Sequence, residues 1–279
     1  MKFCWISDIH LDHLSRKTRD QTTTHQYYEY LRKKCRDHKV HAILGTGDYD
    51  NSNKLCRALQ ALWNCTSDEP FLFVLGNHDY YFSSFSSVTD IMHNFTTCNE
   101  SLIYLTNPAQ VCFPFPEEKL IVCGTDGWYD LGAGDPYTTF MLQDHSRIDD
   151  LTDSENPNQV CRDRAEFLTT DMAKKLNLIG DLFKDYKKMI FLTHVPIFTN
   201  VSLHINHEPS PAYSLPFFIN IELGKLLLKF ARENTHLDIT VLCGHTHWGI
   251  SKEIIPNLRV KVMEAVYGSP KFSSRIIDI

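Results

Sequence analysis

The sequence has no uncharged apolar run near the ~18 residues that a membrane span needs. Its start, MKFCWISDIH, lacks the apolar stretch and cleavage site of a secretory signal. These absences give the expectation of a cytoplasmic protein without a membrane partner. Positive charge is not in excess either, since 28 Lys plus Arg stand against 34 Asp plus Glu, a net charge of −6. No global positive field exists to hold a long nucleic acid by its phosphates, and only a locally charged site remains open. The cysteines at 4, 35, 56, 65, 98, 112, 123, 161 and 243 include no CxxC pair. Reduced core thiols fit that odd, scattered set better than a disulfide framework or a zinc-thiolate site.

Low-complexity tracts and internal repeats are missing, and 12 Gly with 12 Pro in 279 residues exclude collagen-like and disordered classes. No composition shift marks a boundary, so one domain is expected over 1–279. The one conspicuous number is 14 His, and its meaning depends on where they fall.

Six short runs rich in Val, Ile, Phe or Leu read as strands buried on both faces: Lys2 to Ser7, His41 to Leu44, Phe71 to Leu75, Leu120 to Cys123, Met189 to Thr193 and Ile239 to Cys243. Apolar spacings of three and four predict helices over Thr23 to Asp37, Asn53 to Trp63, Arg162 to Lys175 and Ile221 to Glu233. Their alternation implies βαβ units and a mostly buried sheet. Leu102 to Leu105, Val111 to Phe113, Arg259 to Ala265 and Arg275 to Ile279 have no helix-length spacers between neighbours. They are expected as hairpin-connected strands in a second sheet or on a sheet edge. Long loops are expected near 128–159 and 198–220, where such length inside a domain points to function or mobility.

Five of the predicted strands end in groups that bind cations. They run into Asp8-Ile9-His10, Gly47-Asp48, Gly76-Asn77-His78-Asp79, His194 and Gly244-His245-Thr246-His247. The C-terminal edge of an open α/β sheet is where ligands bind. In an extended segment residues i and i+2 face one side, so Asp8 with His10, and His245 with His247, are expected to converge. Carboxylate, amide and imidazole donors without thiolate suit Mn²⁺, Fe²⁺, Zn²⁺ and similar ions. The set exceeds what one four-coordinate zinc can use, whereas two ions roughly 3.5–4 Å apart with a bridging carboxylate would use it.

These five blocks, in this order, resemble those of the calcineurin-like metallophosphoesterase superfamily. The resemblance runs from Asp8 to His247. It implies an α/β fold, a four-layer αββα sandwich of two mixed sheets with helices on both outer faces and a dinuclear site at the C-terminal strand ends. It further implies that Asp8, His10 and His247 hold one ion, that Asn77, His194 and His245 hold the other, and that Asp48 bridges them. His78 would stabilise the transition state or protonate the leaving oxygen. Asn51 stands where phosphoprotein phosphatases of the superfamily carry an Asp that orients that histidine. The arginines those phosphatases place after the second block and before the Asn-His are absent, which argues against a protein phosphatase. The GNHD and GHTH forms resemble a bacterial-type branch of phosphodiesterases, nucleotide hydrolases and nucleases.

The expected activity is therefore metal-dependent hydrolysis of a phosphodiester, on a nucleotide or short nucleic acid. A water held between two divalent ions, Mn²⁺ by preference and Fe²⁺, Zn²⁺, Co²⁺ or Ni²⁺ otherwise, would have its pKa lowered toward ~7 and attack phosphorus. The alternatives are a phosphomonoesterase or nucleotide pyrophosphatase acting on a small phosphorylated metabolite, and a catalytically silent scaffold. Substrate contacts are expected from Tyr80, Trp128, His204 and His207, because aromatic groups beside a phosphate site can stack on a base.

Overall fold

The computed structural model describes residues 1–14, 23–66 and 69–279. Each predicted buried run forms a strand: β1 (Lys2–Ile6), β2 (Ala42–Thr46), β3 (Phe71–Val74), and later β6 (Leu120–Gly124), β7 (Lys188–Leu192) and β8 (Asp238–Cys243). The shorter strands are β4 (Leu102–Tyr104), β5 (Phe113–Phe115), β9 (Ile250–Ile255), β10 (Leu258–Val262) and β11 (Ser274–Asp278). The helices are α1 (Thr24–His38), α2 (Leu55–Trp63), α3 (Phe85–Thr97), α4 (Asp149–Thr152), α5 (Pro157–Leu182) and α6 (Ile221–Glu233).

The strands form two mixed sheets, ordered β11-β1-β2-β3-β4 and β5-β6-β7-β8-β10-β9. In the first, β1 to β4 are parallel and β11 is antiparallel to β1. In the second, β6, β7, β8 and β10 are parallel, with β5 and β9 antiparallel at the edges. Alternation along the strands divides the apolar residues among three interfaces. Phe3, Trp5, Leu44, Leu72 and Val74 meet Val122, Ile190, Leu192 and Leu242 between the sheets. Cys4, Ile6, Ile43 and Phe73 instead face Leu31, Leu59 and Met92 of α1, α2 and α3. Cys123, Phe191 and Val241 face Met172 and Ile179 of α5 and Leu227 of α6. These are the four layers of an αββα sandwich.

Three features differ from the sequence reading. Helix α3 was not expected, because its Ser, Thr and Asn residues are weak helix formers. It forms because Phe85, Val88 and Met92 bury one stripe and Ser84 accepts from Ser87 N at 3.1 Å. With α3 in place, β4 pairs parallel to β3 and is no hairpin strand. The run beginning near Arg259 likewise pairs parallel with β8, and its hairpin partner is β9, an exposed edge strand without strong patterning. Helix α5 is longer than predicted, starting with Pro157 behind an Asn156 side chain that accepts from Gln159 N. The cysteines are free thiols, mostly buried, with Cys98 exposed. No helix among the described residues is long and apolar enough to cross a membrane.

Candidate metal centre

The strand ends do not continue as extended chain. Asp8 (φ 49°), His10 (φ 42°), Asp48 (φ 58°), His245 (φ 69°) and His247 (φ 62°) all adopt left-handed backbone. For residues other than glycine this conformation costs of order 1–3 kcal/mol each, and it persists only where surroundings enforce it. Convergence of these side chains therefore comes from left-handed turns, not from the i, i+2 alternation expected.

The enforcement is visible in the backbone. Asp8 N donates to Gly47 O and His10 N to Asp48 O, both at 3.0 Å, lacing the ends of β1 and β2. Gly244 N donates to His194 O at 2.9 Å, lacing β7 and β8. His245 N then donates to Asp8 Oδ1 at 2.9 Å, tying one sheet to the other. Gly244 makes this tie feasible, since a Cβ there would collide with the Asp8 carboxylate and Ser7 Oγ. The Asp48 turn is held by Asp79, fully buried, which accepts from the N–H groups of Asp48, Tyr49, Asp50 and Gly76 at 2.8–3.2 Å. The sequence pattern places Asp79 in the Gly-Asn-His-Asp block but assigns it no role.

The side chains gather into two groups that share one carboxylate. In the first, His247 Nε2 lies 3.3 Å from Asp8 Oδ1 and 3.2 Å from His10 Nε2, and His10 Nε2 lies 3.7 Å from Asp48 Oδ2. In the second, Asn77 Oδ1 lies 3.0 Å from His194 Nε2 and 3.1 Å from His245 Nδ1. His194 Nε2 is also 3.4 Å from Asp48 Oδ2. Hydrogen bonds outside the cluster select these inward nitrogens. His194 Nδ1 donates to Thr46 O at 2.7 Å, and His245 Nε2 donates to Phe217 O at 2.9 Å. In each ring the other nitrogen faces inward, the side from which a metal-ligating histidine binds once that nitrogen is deprotonated.

Charge is concentrated on largely buried groups. Burial works against ionising Asp8, yet the hydrogen bond and charge of His247 outweigh it and bring its pKa to about 2. Asp48 is likewise held well below the carboxylate range, its burial overcome by His194 and His78. Burial disfavours protonated His194, but Asp48 beside it lifts the pKa to about 10. Burial, reinforced by His194, lowers His245 to about 4, and burial with His78 keeps His10 well below 6.5.

His78 lies beside this cluster, its Nε2 4.0 Å from Asp48 Oδ2 and its backbone N–H donating to Asp48 Oδ1 at 2.9 Å. Its ring packs on Tyr81 with centroids 4.3 Å apart. Asn51 makes no side-chain bond to it, for Asn51 Oδ1 and His78 Nδ1 are both buried without hydrogen-bond partners. Asn51 thus has no hydrogen bond through which to orient His78.

A cleft of about 430 Å³ opens over the cluster, lined among others by His13, His78, Tyr81, His204, Phe218, Trp248 and Tyr267. Two expected substrate residues are not in it. Tyr80 is fully buried, its hydroxyl donating to Asp126 Oδ2 at 2.6 Å and accepting from Arg164 at 2.8 Å. Trp128 is buried edge-on against Phe85 and Tyr80. Both are core residues, and for Tyr80 the turn after Asn77 decides it, sending Tyr80 inward and Tyr81 to the cleft. His204 lines the cleft, and His207 sits one layer back with its ring 5.2 Å from that of Trp248. Tyr267 was missed; its ring lies 4.4 Å from His10 and 4.8 Å from His247, delivered by a C-terminal loop no motif marks.

The calcineurin-like phosphoesterase family model matches residues 1–249 of the chain. Among solved structures, a dimetal phosphatase from Danio rerio is similar, with TM-score 0.57 and 14% identity over 99% of this chain and 91% of that one. A protein from Thermus thermophilus aligns with TM-score 0.52 and 13% identity over 99% and 98%. A 5'-nucleotidase from Candida albicans aligns with TM-score 0.54 and 11% identity over 94% of this chain and 45% of that one. These likenesses are of fold. No curated protein matches the sequence. With a family match that spans every strand-end donor from Asp8 to His247, the chain belongs to the calcineurin-like phosphoesterases.

Proposed function

We propose that the protein is a dinuclear metal-dependent phosphoesterase whose substrate is a phosphodiester of nucleotide type. The observation that carries this reading is the position of Asp48 Oδ2, 3.7 Å from His10 Nε2 in one donor group and 3.4 Å from His194 Nε2 in the other. Asp8, His10 and His247 would hold one ion, Asn77, His194 and His245 the second, and Asp48 both. The residues fit such ions, since carboxylate, amide and imidazole atoms converge and the donors are oxygen and nitrogen only. Divalent ions bound there, Mn²⁺ by preference, supply Lewis-acid charge for the phosphate and lower the pKa of water.

The protein's own contribution is placement and proton transfer. Asp79 holds the Asp48 turn, and the Thr46 and Phe217 carbonyls hold the tautomers of His194 and His245. His78, in the cleft beside Asp48, is the group to give a proton from Nε2 to the leaving oxygen, a task suited to imidazole near neutral pH. Trp248, Tyr267 and Phe218 offer the organic part of the substrate aromatic and apolar faces. A diester leaves organic groups on both sides of phosphorus, and an open cleft with such walls accepts both.

The test is a paired assay of chelator-stripped, Mn²⁺-reloaded protein on bis(p-nitrophenyl) phosphate and p-nitrophenyl phosphate. Faster turnover of the diester is expected; a large preference for the monoester overturns the substrate reading. A nucleotide and oligonucleotide panel then sets substrate size.

A further inference from the structure

Asp144 is fully buried, yet it comes from the long segment between β6 and α5 and not from a strand end. Its Oδ1 accepts from Asn77 Nδ2 and from Tyr81 OH, each at 2.8 Å, and its Oδ2 accepts from Tyr129 OH at 3.0 Å. A primary amide has nearly the same shape in either flip, so packing does not choose between its oxygen and its nitrogen. A carboxylate can only accept, and it therefore draws the Asn77 NH₂ toward itself. The same orientation turns Asn77 Oδ1 toward His194 Nε2 and His245 Nδ1, at 3.0 and 3.1 Å. The two tyrosines extend the effect. Tyr81 packs on His78, and Tyr129 lies nearly parallel to the His245 ring at 6.5 Å.

We infer that Asp144 is a positioning residue that keeps Asn77 oxygen-inward and thereby sets affinity for the second of the two ions. The first ion, held by Asp8, His10 and His247, is independent of it. This inference rests on the dinuclear reading above.

The experiment titrates metal-stripped protein with Mn²⁺, following free Mn²⁺ by electron paramagnetic resonance and heat by calorimetry. Wild type takes up two ions. Asp144→Ala is expected to bind the second ion about 10–100-fold more weakly while the first changes less than about threefold. Unchanged binding of both ions, or parallel loss of both, overturns the inference.

A donor swap covers the case in which Asp144→Ala does not fold. Asn77→Asp adds negative charge, yet is expected to weaken the second ion, because two carboxylates then face each other. Adding Asp144→Asn restores a donor–acceptor pair and is expected to recover that ion. A double variant no better than the single one overturns the inference. Uptake of only one ion by wild type overturns the dinuclear reading itself, and is recognised before any substitution is made.

Discussion

His10 Nε2 and His247 Nε2 stand 3.2 Å apart, one from the turn after β1 and the other from the turn after β8. Asp8 Oδ1 lies 3.3 Å from the latter, so an anion and two imidazole nitrogens converge from two different sheets. A cation between them would crosslink the sheets. Saturating Mn²⁺ at about 100 times its Kd should therefore stabilise stripped protein by about 2.7 kcal/mol. At this chain length that is a rise in Tm of about 5 °C, read by calorimetry. No shift on adding Mn²⁺, Fe²⁺ or Zn²⁺ would count against the site.

Asp48 is the carboxylate common to both donor groups. Asp48→Asn, or His194→Ala, should lower kcat by about a thousandfold or more, some 4 kcal/mol of barrier. Circular dichroism should stay native, because the sheets carry the stability. Full activity in either variant refutes the assignment.

Asp79 satisfies four buried backbone donors around the Asp48 turn. Asp79→Ala leaves them unpaired, at about 1–3 kcal/mol each before relaxation or water entry. Urea denaturation should show a loss of at least about 3 kcal/mol, together with loss of activity. A stability change under about 1 kcal/mol would mean that Asp79 does not hold the turn.

His78 as proton donor has a leaving-group signature. His78→Ala should slow substrates with alkyl leaving groups by about 10²–10⁴ and nitrophenyl substrates far less, since nitrophenolate departs without a proton. Equal loss on both would assign His78 to positioning or charge stabilisation instead.

Trp248 and Tyr80 separate cleft from core. Trp248→Ala should raise KM about tenfold with Tm unchanged, the loss of one stacking contact of about 1.4 kcal/mol. Tyr80→Phe should leave KM alone and cost about 1–3 kcal/mol of stability through its lost bond to the buried Asp126 carboxylate. The reverse pattern would return Tyr80 to the substrate site.

Much of the scaffold was legible because buried parallel strands are continuous apolar runs, and β1, β2, β3, β6, β7 and β8 carry that signature. Helix α3 and strand β9 were not, since neither has strong propensity and each exists through its packing partner. The same division holds in the cleft. Tyr80 and Tyr81 are adjacent and chemically identical, and only the turn after Asn77 decides which one lines the cleft.

Local sequence determined the strand runs and the donors that follow them, because burial in a sheet and cation binding both demand particular residue types at particular places. Tertiary structure alone decided how the donors meet. The left-handed turns at Asp8, His10, Asp48, His245 and His247 are imposed by hydrogen bonds between segments distant in the chain. Asp79 acts on the turn after the neighbouring strand β2, and Asp144 and Tyr267 act through partners that only the folded chain brings to them. A one-dimensional pattern records which groups a chain has. The strain those groups tolerate, and the faces they turn to one another, come from contacts that exist only in the folded state.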